Sequence, residues 1–133
     1  MTTIVVVDDE ALTTDVLSFL LEQEGYTVFT AQNGRKALDV IASVGPALVI
    51  TDFMMPTMSG LELAQALKTH DELKSIPIIL ASAAQGSIAR RHTDLFAAVL
   101  DKPLSPAMLI AAVKRLLDGD AGAAIGADGN LTT

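Results

Sequence analysis

The chain has no cysteine and no tryptophan, and phenylalanine and tyrosine together make up only 4% of its 133 residues. Without cysteine there is no disulfide framework, no thiolate metal site and no cysteine nucleophile. With so few aromatics, a core must be built from Val, Ile, Leu, Ala and Met. Basic residues are also scarce: nine Lys and Arg stand against sixteen Asp and Glu, for a formal charge of −7. That balance argues against direct nucleic-acid binding, which needs cations to neutralise phosphates. No apolar run approaches the ~18 residues of a membrane span. The N-terminus lacks the basic region and long apolar stretch of a secretory signal. The expectation is a soluble cytoplasmic domain. Half of the residues are apolar, enough for a proper core in one domain of this length.

What is present is a regular alternation. Short apolar runs at Ile4–Val7, Tyr26–Thr30, Ala47–Thr51, Ile78–Ala81 and Ala97–Leu100 read as strands. They are nearly continuous in hydrophobicity, as in parallel strands covered on both faces. Helical patterns separate them. Leu12, Val16, Phe19 and Leu20 follow the 3.6-residue period and predict the inward face of a first helix, ended by Gly25. Arg35 to Ser43 and Ser59 to Thr69 predict a second and a third, and Gln85 to Thr93 a fourth with a thin apolar face. The fifth opens with Ser105-Pro106, an N-cap and a first-turn proline. This βα alternation predicts an α/β fold with a parallel sheet and helices on both faces. Residues 1–119 are read as this domain. Residues 120–133, "DAGAAIGADGNLTT", are small, polar and aperiodic, and are expected to form a disordered tail with no second folded domain.

In such sheets ligands bind beyond the carboxyl ends of the strands. Asp8 and Asp9 follow the first strand, Asp52 the third, Ser82 the fourth and Lys102 the fifth. Taken singly, each has a plain reading: a helix-capping acid, a turn aspartate, a turn hydroxyl, a solvated ammonium. Together they place three carboxylates, a hydroxyl and an ammonium on one rim. Clustered carboxylates repel, and a hard divalent cation such as Mg²⁺ relieves that repulsion through oxygen ligands and a phosphate. One carboxylate could then act as nucleophile and form an acyl phosphate.

The motifs "VVVDDE", "VITDFMMPTMSG", "IILASA" and "LDKP", in this order over residues 3 to 118, resemble those of response-regulator receiver domains of two-component signal transduction, in particular the single-domain, chemotaxis-regulator-like kind. The resemblance implies a flavodoxin-like five-stranded parallel sheet of order 2-1-3-4-5 with five helices. It implies Asp52 as phosphoacceptor, and Asp8, Asp9, Asp52 and the backbone carbonyl of Met54 as Mg²⁺ ligands. It implies Ser82, Ala83 and Lys102 as phosphoryl-binding and switch residues, and Met55, Pro56, Gly60 and Pro103 as structural residues of the site, with a cis bond before Pro103. The implied partners are a histidine kinase or histidine phosphotransfer protein, and a downstream protein that reads the face of the fourth helix, fifth strand and fifth helix.

One position departs from the pattern. Receivers usually carry Tyr or Phe three residues before the lysine, and this chain has Val99. Valine has no polar tip to swing inward, so the response to phosphorylation is expected in residues 82 to 93, with little change in the fifth strand. Two other functions use similar residue types but fit this sequence less well. A haloacid-dehalogenase-like Mg²⁺-dependent phosphatase would place its nucleophile in Asp-x-Asp after the first strand, whereas Asp8 and Asp9 are adjacent. An FMN-binding flavodoxin needs a phosphate loop there, and "DDEALTTD" would repel phosphate.

Overall fold

In a computed structural model, residues 2–83 and 94–118 are described. Five parallel strands lie in the order β2-β1-β3-β4-β5: β1 is Thr3–Val7, β2 Thr27–Ala31, β3 Leu48–Asp52, β4 Ile78–Ser82 and β5 Ala98–Asp101. Among the described residues four helices connect and cover them: α1 Ala11–Gln23, α2 Gly34–Val44, α3 Gly60–Lys68 and α4 Pro106–Leu117. The α/β architecture and the strand order are those expected. The helix expected at Gln85–Thr93 and the tail expected at 120–133 lie outside the described residues, so α4 is the fifth of the expected series.

Side chains alternate across each strand, and this splits the core in two. Ile4, Val6, Leu48, Ile50 and Ile79 point toward α1 and α4, where they meet Leu17, Leu21, Leu109 and Val113. Val5, Val7, Val49, Ile78 and Leu80 point toward α2 and α3, among Ile41, Leu63, Leu67 and Phe96. Strands β1, β3 and β4 are buried almost throughout, whereas the edge strands β2 and β5 are partly open.

Local signals fix the helix ends. Asn33 accepts from the Lys36 amide at 2.8 Å to start α2, and Gly45 ends it with φ 57. Ser59 and Glu62 form a reciprocal capping box on α3, with bonds of 2.9 and 3.1 Å. Ser105 caps α4 ahead of Pro106.

Helix α1 corrects the sequence reading. Its inward stripe is Thr14, Leu17 and Leu21, with Leu20 part-buried against the same side of the core, while Leu12, Val16 and Phe19 are 75%, 50% and 62% exposed. The helix is apolar on nearly every side, so two stripes fit the same period. The stripe that wins contains a threonine, whose hydroxyl is satisfied inside the helix by donating to the Ala11 carbonyl at 2.9 Å.

Candidate functional site

Parallel strands bring their C-terminal ends to one edge, and four of the expected residues converge there. Asp8 follows β1, Asp52 ends β3, Ser82 ends β4, and Lys102 follows β5. Register carries the alignment: Asp52 pairs with Ala81, and Ser82 with Asp101. The Lys102 amide donates to the Ser82 carbonyl at 2.9 Å, tying the two strand ends together. Lys102 and Pro103 are joined by a cis peptide.

The Lys102 ammonium lies 2.9 Å from Asp52 Oδ1 and 3.3 Å from Asp8 Oδ2. Asp8 and Asp52 are buried, as is Ser82, whereas Asp9 is exposed. Asp8 also accepts the Glu10 amide at 3.0 Å, so it caps the approach to α1 while facing the lysine. Burial pushes the Asp8 carboxyl above its ordinary value; the Glu10 amide opposes this, the charge of Asp52 adds to it, and Lys102 opposes it. Burial pulls the Lys102 ammonium down, but its bond to Asp52 and the charges of Asp8 and Asp52 outweigh that and leave it raised. The lysine is therefore firmly cationic.

One oxygen each from Asp8, Asp9 and Asp52 lie within 4.8 Å of one another. Three hard anionic oxygens at that spacing fit a divalent cation of the Mg²⁺ class better than any softer metal. The side chain of Met54 points outward, 63% exposed, which suits a residue whose contribution is its backbone carbonyl. Met55 and Met58 pack against the α2–α3 side of the core. Gly60 is required by close approach: a Cβ there would collide with the backbone carbonyl of Asp52 and sit 2.8 Å from Leu80 Cδ1. Its amide donates to the Phe53 carbonyl at 2.8 Å. Ala83, exposed, follows Ser82 on the same rim. Val99 is half-buried, and Phe96 is buried in the α2–α3 side of the core.

Two features of the site escaped the sequence reading. Thr51 is fully buried, and its hydroxyl donates to the Asp52 carbonyl at 3.0 Å; the only trace in the sequence is one hydroxyl in the aliphatic run "LVIT". Thr57 adopts φ 73, in the loop where the resemblance had singled out only Met55, Pro56 and Gly60 as structural residues.

Residues 4–114 match the response regulator receiver domain family. The chain is 35% identical over 120 residues to the polar-differentiation response regulator DivK of Brucella anthropi, a match covering 89% of this chain and 97% of DivK. It is 37% identical over 118 residues to the phosphate regulon transcriptional regulatory protein PhoB of Pseudomonas aeruginosa, covering 86% of this chain and 51% of PhoB. The chain thus spans about half the length of PhoB and nearly all of DivK. Among solved structures, the response regulator TrrA of Thermotoga maritima, in complex with Mg²⁺–BeF, superimposes with a TM-score of 0.79 at 35% identity, over 88% of this chain and 100% of that one. The chain belongs to the response regulator receiver domain family. It is a phosphoacceptor of two-component signalling rather than a classical enzyme.

Proposed function

We propose that Asp52 takes a phosphoryl group from a phosphohistidine of a histidine kinase or histidine phosphotransfer protein, with Mg²⁺ held by Asp8, Asp9, Asp52 and the Met54 carbonyl. The observation that carries this reading is the Lys102 ammonium set between Asp52 and Asp8, beside carboxylates spaced for a divalent cation. An Asp52 oxygen attacks phosphorus and forms the P–O bond. The P–N bond to the donor imidazole breaks, and its electron pair stays on the imidazole nitrogen. Bound Mg²⁺ supplies positive charge to the phosphoryl oxygens. Lys102 leaves its ion pair with Asp52 to pair with the phosphoryl group, and the Ser82 hydroxyl donates to another phosphoryl oxygen. Ala83, next in the chain, shifts with Ser82, while Met55, Pro56, Gly60 and Pro103 shape the loops around them.

Two grooves support sites for the partners. One, about 550 Å³, runs along α1 from the site and is lined by Leu12, Val16, Lys102, Pro103 and Leu104; it suits the donor, whose histidine must reach Asp52. The other, about 350 Å³, lies between β5 and α4, with Val99, Leu100, Leu104 and Met108 in its walls; it suits a downstream protein reading the phosphorylated state. Membership of the receiver domain family supports a reaction in the cytoplasm.

The test is the intact mass after incubation with acetyl phosphate and Mg²⁺. Wild type should gain one phosphoryl group and Asp52→Asn none. A phosphoryl group that persists on Asp52→Asn would move the acceptor elsewhere.

A further inference from the structure

Two of the proposed metal ligands, the Asp52 carboxylate and the Met54 carbonyl, hang from one short stretch of backbone. Their relative position depends on the peptide planes between them. The Asp52–Phe53 peptide is held at both ends: the Phe53 amide donates to the Ala81 carbonyl at 3.0 Å, and the Asp52 carbonyl accepts the Thr51 hydroxyl at 3.0 Å. Gly60 passes against that same carbonyl with no room for a Cβ. Pairing with β1 ends at Thr51, so Asp52 and Phe53 leave the sheet on that flank just where the carboxylate must be fixed. Thr51 faces the α2–α3 side of the core with no exposure. Valine is its isostere, favours strands and brings no hydroxyl to desolvate. Packing alone would therefore put valine at position 51.

We infer that Thr51 is a positioning residue: its hydroxyl fixes the Asp52–Phe53 peptide and, through it, the spacing of the Asp52 carboxylate and the Met54 carbonyl. The inference rests on the assignment of Asp52 and Met54 to the metal and phosphoryl site. It separates two quantities that a purely structural threonine would move together. Thr51→Val keeps the volume and packing but takes one hydrogen bond from the buried Asp52 carbonyl, so the metal-free protein should melt slightly lower. The same variant should bind Mg²⁺ three- to tenfold more weakly by calorimetric titration, and form the acyl phosphate more slowly by a similar factor when Mg²⁺ is subsaturating. Thr51→Ser, which restores the donor without the methyl group, should recover Mg²⁺ affinity even though the lost methyl group lowers its melting temperature. Mg²⁺ affinity in Thr51→Val equal to wild type would overturn the inference, as would Thr51→Ser binding no better than Thr51→Val. If Thr51→Val fails to fold, the role is structural and the inference is likewise overturned. Should wild type itself bind no Mg²⁺ and accept no phosphoryl group, the functional reading fails instead.

Discussion

At the scale of single residues, the loop after β3 holds two positions whose backbones make opposite demands. Gly60 sits where any side chain would push into the Asp52 carbonyl. Thr57 is exposed and forms the middle of a tight three-residue turn, with the Met58 amide donating to the Pro56 carbonyl at 2.7 Å and φ 73 at Thr57. Such turns are strained, and a β-branched residue at positive φ is an outlier. The left-handed region costs a non-glycine residue roughly 1–2 kcal/mol, against up to about 1 kcal/mol of added unfolded-state freedom for glycine. Thr57→Gly should therefore raise stability by roughly 0.5–1 kcal/mol, because no packed side chain is lost. Gly60→Ala should lower it by about 1–3 kcal/mol, the cost of overpacking against fixed backbone. Denaturant melts of the two variants check the pair, and a stabilising Gly60→Ala or a destabilising Thr57→Gly would contradict the loop geometry. Nothing in a single sequence marks φ at Thr57, since threonine is the wrong residue for it. Gly60 was legible only as a motif glycine, its reason being a contact made in three dimensions.

At the scale of elements, legibility followed how one-sided each segment is. Strands β1, β3 and β4 are apolar but for Thr3, Thr51, Asp52 and Ser82 at their ends and were read to within a residue, because burial on both faces leaves no register to misjudge. Helices α2, α3 and α4 carry caps that the sequence announces. Helix α1 has no such asymmetry, since Leu12, Val16, Leu17, Phe19, Leu20 and Leu21 surround it. Its inward face is decided by which residues meet Ile4, Val6 and Val28 across the sheet, and that is tertiary information. Substitutions should report the face directly. Leu17→Ala and Leu21→Ala should each cost about 2–5 kcal/mol, the loss of a buried side chain plus its cavity. Val16→Ser and Phe19→Ser should stay within about 0.5–1 kcal/mol of wild type, as surface changes do. Equal losses at Val16 and Leu17 in thermal melts would restore the face first read from the periodicity. An exposed apolar stripe that contributes little to folding is also a place where a partner can dock without unfolding cost, in keeping with the groove proposed above for the donor.

At the scale of the whole molecule, the fold gathers carboxylates that oppose one another. Asp8 is buried beside Asp52, with Asp9 close by, and one ammonium serves both buried acids. This convergence was legible before the structure because a parallel sheet delivers every strand end to one rim. What was not legible is how unequally the acids are buried. A cation that binds only the folded state should stabilise it by RT ln(1 + [L]/Kd), about 1.4 kcal/mol at ten times Kd, which for a domain of this size is roughly 5 °C. Mg²⁺ should therefore raise the melting temperature of wild type, and Asp9→Ala should lose most of that rise while folding normally, since Asp9 is exposed. The pH dependence follows from Asp8. Its folded-state carboxyl lies above the ordinary value of 3.8, so the folded protein holds a proton that the unfolded chain has already released. The ionised carboxylate is thus a destabilising feature of the metal-free fold above the folded pKa, and its penalty vanishes below 3.8. Metal and proton compete for that oxygen. The Mg²⁺-dependent rise in melting temperature should be greatest near neutrality and shrink as pH falls toward the raised pKa of Asp8. Melting curves with and without Mg²⁺ from neutral to acidic pH decide it: a rise that persists undiminished into the acid range would show that the cation is not held by these carboxylates.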